Sequence, residues 1–378
     1  MQVVYWGTYD KGKPRNRIMI QGLRSCGVEV EECSADPWIG VEDKSQIKGW
    51  KNKLRFAFRW LNQYPGLIRR YLQLSAHDVV VVGYMGQLDV MVLQMFAKIR
   101  KIPVAWDAFL SLYSTVVEDR KMLPYRHPAA RLLYAWEYLA CRAADIIVLD
   151  TKAHSKYFID TFHLPADKVK SVFVGAETEV FKPNQQGLAA HDKFNVLFYG
   201  QFTPLHGIET IVKAAWLAKD NESIRWTLIG KGQESKKIRS MIANLPLKNL
   251  EWIDWIPYEQ LPEWIHSADI CLGIFGTTDK AQRIIPNKVF QILAADCPLI
   301  TADTPAIREL VCPSEKIKLI PPDNAEALYE AVLMMKEGRK NEKISSQENI
   351  TRQLAIGPEE VGKQFKAILV NLKPYAVF

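Results

Sequence analysis

No apolar run in this chain approaches the roughly 20 residues that a helix needs to cross a bilayer, so no membrane span is read from it. Cysteines are few and scattered. Cys26, Cys33, Cys141, Cys271, Cys297 and Cys312 form no C-x-x-C pair. That excludes the usual zinc-ribbon spacing and gives no disulfide framework, and in their apolar surroundings they read as buried thiols. No zinc finger, RRM-type signature or long basic run is present, so the formal charge of +7 points to a phosphate-bearing ligand or an anionic membrane face rather than to nucleic acid. The start, Met1-Gln-Val-Val-Tyr-Trp-Gly7, is too short and too uncharged for a signal peptide and reads as a first strand. The expected location is the cytoplasm.

What is present is an ordinary globular balance, 48% hydrophobic and 24% charged over 378 residues, long enough for two domains. Short apolar strands alternate with helical patterns, the signature of parallel sheets with helices on both faces. The first half reads as strands near Val3–Trp6, Val28–Cys33, Val79–Gly83, Val104–Asp107, Ile146–Asp150 and Lys170–Val174, with helices such as Arg15–Cys26, Leu88–Arg100 and Ala129–Ala143 between them. The second half restarts with Asn195–Gly200, Ile224–Gly230, Leu250–Ile253, Ile270–Phe275, Leu299–Ala302 and Ile317–Ile320. Between the halves, residues 181–193 are polar and aperiodic and read as an interdomain linker. The expected division is 1–182 and 183–357, with the amphipathic end of the chain, 358–378, returning to the first domain. Tandem doubly wound domains bind ligands at the carboxyl ends of their strands.

Three loops of the second half carry chemistry. After the strand ending at Ile270–Phe275, a polar loop holds Lys280 and Arg283 and leads into a helix at Pro286-Asn287-Lys288. Proline suits a first helical position, and a helix N-terminus attracts anions, so two cations beside it make a diphosphate seat. The strand ending at Gly200 continues through Gln201 to His206-Gly207 and a new helix. Gly200 permits close backbone approach there, although an ordinary βα turn would look alike. The strand Thr227–Ile229 runs into Gly230-Lys231-Gly232, a lone G-x-G that a tight turn alone would also explain.

Taken together, Gly200…His206-Gly207, Leu228-Ile-Gly-Lys-Gly232, Ser267-Ala-Asp-Ile270, Ile285-Pro-Asn-Lys-Val-Phe-Gln-Ile-Leu-Ala294 and Cys297-Pro-Leu-Ile300 resemble the donor half of glycosyltransferase family 4, the glycosyl transferases group 1. The first half agrees in outline through Trp106–Tyr113 and Ala144–Thr151. The resemblance implies the GT-B fold, an α/β architecture of two Rossmann-like doubly wound domains facing across a cleft that holds a nucleotide sugar. It implies a retaining transfer of the sugar to a glycan or lipid-linked acceptor. No cofactor is implied beyond the nucleotide-diphosphate sugar as co-substrate, and no metal; the chain contains no D-x-D triplet. The donor-binding set it implies is Gly7, Gly12, Gly200, Gln201, Gly207, Gly230, Lys231, Gly232, Ile256, Lys280, Asn287 and Gln291, with Ile256 in the stretch 255–258 that would meet the base through its backbone.

The chain departs from the family pattern at four positions. Gln201 and His206 stand where an Arg and a Lys are usual, and Arg283 and Gln291 where two Glu are usual. Gln291 can still hydrogen-bond ribose hydroxyls, and Arg283 offers a guanidinium fork for phosphate. The expectation is a rearranged clamp, with Lys288 and Arg283 as main cations and His206 and Lys280 assisting. Asp107, at a strand end, completes the catalytic candidates as a group for an acceptor or sugar hydroxyl; a capping role is equally open.

Two stretches of the first half remain. The loop Gly7–Arg17 carries four cations and two glycines, and in similar enzymes it closes over the donor phosphate or acceptor. Residues 50–71 mix basic and aromatic side chains at helical spacing, suiting either an anionic membrane surface or a helix packed with a solvated basic face. On the membrane reading the location is the inner membrane face and the acceptor is lipid-linked. Two other functions stay open, a non-catalytic nucleotide-sugar-binding subunit and a nucleotide-sugar epimerase.

Overall fold

The computed structural model describes residues 1–37, 49–184, 192–341 and 356–372. The chain forms two compact units: Met1–Ser114 with Leu123–Val174 and Pro358–Phe378, and Thr115–Met122 with Gly175–Gly357.

In the first unit, strands β1 (Gln2–Gly7), β2 (Glu29–Ser34), β3 (Val79–Val82), β4 (Val104–Asp107), β5 (Ile146–Leu149) and β6 (Val169–Ser171) form a sheet in the order β2-β1-β3-β4-β5-β6. Every pairing is parallel. The inner strands β1, β3, β4 and β5 must be apolar on both faces and are buried nearly throughout, whereas the edge strand β2 carries three glutamates. Val4, Trp6, Val80, Val82, Trp106 and Leu149 point to one side. There they meet α3 (Tyr64–Gln73), α4 (Gln87–Ile99), α5 (Pro128–Ala143) and α6 (Lys152–Phe162). Val3, Tyr5, Val79, Val81 and Val148 point to the other. That side is covered by α1 (Pro14–Ser25) and α13 (Pro358–Val370), the latter through Val361, Phe365 and Leu369. The two helices cross where a Cβ on Gly362 would lie 2.0 Å from the Gly22 carbonyl oxygen. Only a glycine at both positions lets the backbones come so near. Helix α2 (Trp50–Leu61) precedes α3 and has no fully buried residue among those described.

In the second unit, β7 (Phe194–Tyr199), β8 (Ile224–Ile229), β9 (Leu250–Ile253), β10 (Ile270–Leu272), β11 (Leu299–Ala302) and β12 (Ile317–Ile320) form a parallel sheet in the order β12-β11-β10-β7-β8-β9. Its helices are α7 (Ile208–Leu217), α8 (Ser235–Ala243), α9 (Leu261–Ser267), α10 (Asp279–Arg283), α11 (Asn287–Ala294) and α12 (Ala325–Asn341). The strand order reverses between β7 and β10, so the loops leaving those two strands open a crevice at the carboxyl edge.

Local differences from the sequence reading have physical causes. The strand expected over Ile270–Phe275 ends at Leu272. Beyond it, Gly273 lies against Thr301, and Phe275 and Gly276 donate their N–H groups to the carbonyls of His206 and Leu205 at 3.1 Å each. Pro286 is the N-cap of α11 rather than its first residue, with extended backbone at φ −71°, ψ 151°. The expected linker begins at Phe181, yet that ring is fully buried and packs edge-on against Tyr258 at 5.8 Å. Residues 185–191 of the same stretch lie outside the described residues.

Candidate functional site

Three loop ends meet at the carboxyl edge of the second sheet. Gly200 follows β7 with φ +136° and Gly230 follows β8 with φ +139°. A Cβ on Gly230 would stand 1.9 Å from the Gly200 carbonyl oxygen, so neither strand could end this way with a side chain. Gly207, at φ +62°, opens α7 and lies against the backbone of Phe275 and Gly276, where the chain leaves β10. Gly232 lies against the Phe202 backbone, and Lys231 beside it is exposed, accepting from the Phe202 N–H at 3.2 Å.

Lys288, in the first turn of α11, projects into this edge. It is only 5% exposed, and its Nζ has no hydrogen-bond partner among the described residues. The ammonium sits 3.6 Å from the centroid of the Phe198 ring and 3.0 Å from where a Cβ on Gly200 would be. The ring face offers some compensation to the charge, but much less than a carboxylate would. Burial therefore holds the Lys288 pKa well below the usual lysine range. His206 packs edge-on against the same ring, with centroids 5.8 Å apart. Its Nδ1 contacts the Gln201 carbonyl oxygen, which can only accept, so the hydrogen is on Nδ1. Burial, then the Lys288 charge, holds the imidazole well below the usual histidine range, and in the unliganded site it is neutral rather than an assisting cation.

Gln291, one turn along α11, is buried and held at both ends. Its Oε1 accepts from the Tyr199 hydroxyl at 3.1 Å, and its Nε2 donates to the Tyr258 hydroxyl at 3.3 Å. Tyr258 in turn donates to Glu177 Oε2 at 2.7 Å. Asn287 and Ile256 are half-buried, the first at the start of α11 and the second in the loop after β9.

The other two expected cations are engaged. Residues 115–122, which begin in a π-helical turn over Ser114–Asp119, belong to the second unit and lie along its loops. Lys280 Nζ donates to Thr115 Oγ1 at 2.7 Å, Arg283 pairs with Glu118 at 3.2 Å, and Thr278 Oγ1 donates to Asp119 Oδ1 at 3.0 Å. Arg120 donates to Gln201 Oε1 at 3.5 Å, and its own carbonyl accepts from Gln233 Nε2 at 2.9 Å. Sequence reasoning missed Glu118, Tyr199 and Glu177, and reached Tyr258 only through the backbone of the stretch 255–258. Only Tyr199 left a signal, as the last residue of a strand that ends in a site glycine.

Gly7, Gly12 and Asp107 belong to the first unit. Gly7 ends β1 at φ +131°, with Asp89 beside it in place of a Cβ. Gly12 is exposed and donates its N–H to Asp10 Oδ1 at 2.9 Å. Asp107 is fully buried in an ion pair with Arg15, accepting Nη2–H at 2.8 Å and Nε–H at 3.0 and 3.2 Å, while Arg15 Nη1 donates to the carbonyls of Val172 and Phe173. The carboxylate is thus spent on holding α1 to the sheet and is not open to a sugar hydroxyl. The cation cluster of 7–17 also disperses. Arg15 turns inward, and Lys11 and Lys13 pair with Glu32 and Asp10 at 3.2 and 3.8 Å. Among the described residues no three His, Cys, Asp or Glu side chains gather into a metal-binding group, and no helix is long and apolar enough to cross a membrane.

Comparison with known proteins bears on this geometry. Residues 179–352 match the family described as Glycosyl transferases group 1. The chain is 24% identical to the amylovoran biosynthesis glycosyltransferase AmsK of Erwinia amylovora over 279 residues, 72% of this chain and 65% of that protein. It is 23% identical to the chitobiosyldiphosphodolichol beta-mannosyltransferase of Candida albicans over 201 residues, 49% of this chain and 44% of that protein. It therefore spans less than two thirds of the length of these curated relatives. Among solved structures, HepE of Anabaena in complex with UDP superposes with a TM-score of 0.68 at 15% identity, covering 98% of this chain and 100% of HepE. Sucrose-phosphate synthase of Thermosynechococcus elongatus does so with a TM-score of 0.70 at 16% identity, covering 97% and 98%. At such identities what is shared is the fold. Residues 179–352 are thus a group 1 glycosyltransferase domain, carried in a chain whose fold is that of the GT-B glycosyltransferases.

Proposed function

We propose that the chain is a retaining glycosyltransferase that moves a sugar from a nucleotide-diphosphate sugar to a glycan or lipid-linked acceptor, with protein cations rather than a metal neutralising the leaving diphosphate. The observation that carries this reading is the buried ammonium of Lys288, without a hydrogen-bond partner among the described residues, beside Gly200 at the topological switch point. An isolated buried charge is costly, and a bound anion is what would offset it. HepE was solved with UDP and with UDP-glucose, which supports a nucleotide diphosphate as that anion. The names of AmsK and the chitobiosyldiphosphodolichol beta-mannosyltransferase support the acceptor classes.

In this reading the bond from the anomeric carbon to the diphosphate oxygen breaks as negative charge develops on that oxygen. Lys288 and the N–H groups opening α11 stabilise the charge where it forms. The acceptor hydroxyl bonds to the anomeric carbon on the same face, and its proton goes to the leaving phosphate oxygen. Gln291, oriented by Tyr199 and Tyr258, presents its amide toward the ribose.

The test is titration with UDP-, GDP- and ADP-sugars, with magnesium and with chelator, followed by the same for Lys288→Ala. Selective binding of one nucleotide unaffected by chelator is expected. Lys288→Ala should weaken the nucleoside diphosphate far more than the nucleoside. Equal loss of both would remove Lys288 from the phosphate site. A second reading, a nucleotide-binding subunit without turnover, is favoured by the engagement of Lys280 and Arg283 with residues 115–122. Sugar transfer or donor hydrolysis by the purified protein excludes it.

A further inference from the structure

Helices α2 and α3 are consecutive and similar in composition, yet the protein uses them differently. Helix α3 buries Tyr64, Leu67 and Tyr71 in the core. Among its described side chains, helix α2 turns Phe56, Ala57 and Trp60 partly inward, with the Trp60 Nε1–H donated to Thr8 Oγ1 at 2.7 Å. On the opposite side, Leu54, Phe58 and Leu61 recur at i, i+4 and i+7 and are 60%, 68% and 52% exposed. Single exposed apolar residues are normal on a protein surface, but a periodic stripe of three on one helix is not. Met95 and Ile99 of α4, whose inner face packs on the same side of the sheet, are exposed as well.

The charge around the stripe identifies its occupant. Residues 50–73 contain six Lys or Arg and no Asp or Glu. Lys51, Arg55 and Arg59 follow one another at i+4 along the flank of the stripe, and all are exposed. A protein partner or a second copy would need an acidic rim to match. An apolar ridge flanked on its own helix by exposed cations, with no carboxylate in residues 50–73, suits a bilayer, with rings and leucines below the headgroups and ammonium and guanidinium groups at the phosphates. We propose that α2 is a docking surface for an anionic lipid bilayer, which holds this chain at the membrane. The proposal stands on this helix and not on the nucleotide site.

The experiment is co-sedimentation of the full chain with vesicles of mixed phosphatidylglycerol and phosphatidylcholine, and with phosphatidylcholine alone. Binding to the mixed vesicles that weakens with salt is expected. Leu54→Glu with Phe58→Glu should lower the partition coefficient by about tenfold or more, because both positions would leave the acyl boundary. Lys51→Gln with Arg55→Gln should lower it several-fold and flatten the salt dependence. Circular dichroism and UDP binding of each variant should match the parent, since these side chains face solvent. No sedimentation with mixed vesicles, or equal sedimentation with both vesicle types, overturns the proposal. A concentration-dependent dimer that Leu54→Glu dissolves, without vesicle binding, would assign the stripe to a second copy and also overturn it.

Discussion

Two buried cations, one in each unit, show how a fold distinguishes support from recognition. Arg15 and Lys288 are both almost wholly withdrawn from water. Arg15 is answered by the Asp107 carboxylate and two backbone carbonyls, so its charge is balanced from within the chain. Among the described residues Lys288 is answered by aromatic rings and by no hydrogen-bond partner. A buried ion pair is complete and resists change, whereas a buried unpaired charge is a standing demand for a counter-ion. The first cation ties α1 to the sheet; the second, on the function proposed above, is met by a ligand.

Substitution tests that contrast. Arg15→Met leaves Asp107 buried and unpaired and should lower unfolding free energy by about 3–5 kcal/mol, measured by urea denaturation. Adding Asp107→Leu to the same chain should recover much of that loss, and a double variant no more stable than Arg15→Met would mean that the pair is not what destabilises it. Lys288→Met should behave oppositely. Stability should hold or rise, because a costly charge is removed, while nucleoside diphosphate affinity should fall by about 2–3 kcal/mol in calorimetry. A marked loss of stability would place Lys288 beside Arg15 as a structural cation.

The pH dependence sharpens the same point. Burial holds Lys288 and His206 low in the free site, and a bound diphosphate raises both. Binding therefore takes up protons between the free and bound pKa values, and affinity falls as pH rises through that window. Calorimetry in two buffers of different ionisation enthalpy measures the uptake, which Lys288→Met should reduce. The smallest effect is expected at Glu118, which is partly exposed. Glu118→Gln should change stability by no more than about 1 kcal/mol. By loosening Arg283 it should raise diphosphate affinity a few-fold, and an unchanged affinity would show that Arg283 does not reach the phosphate.

Much of the architecture was legible because parallel strands buried on both faces leave near-continuous apolar runs. Val104–Asp107, Leu250–Ile253, Leu299–Ala302 and Ile317–Ile320 stand where the runs put them. Gly200 was legible as a backbone approach and Gly230 only as a turn glycine, and both stand at a φ, +136° and +139°, that a side chain rarely tolerates. The pairing of Arg15 with Asp107 was not, since it joins positions 92 residues apart and each reads locally as an ordinary polar residue. Nor was the placement of residues 115–122, whose short polar π-helical turn has no period to announce it. Phe181 looked like part of a linker because only tertiary packing against Tyr258 reveals its burial.

The glycine crossing of α1 with α13 also sets an order of events at the ribosome. The first unit needs Val361, Phe365 and Leu369 to cover Tyr5, Val81 and Val148. Every residue of the second unit is synthesised before that helix emerges. The half of the protein that is made first is therefore finished last, and one face of its sheet has only α1 to cover it through the synthesis of residues 175–357.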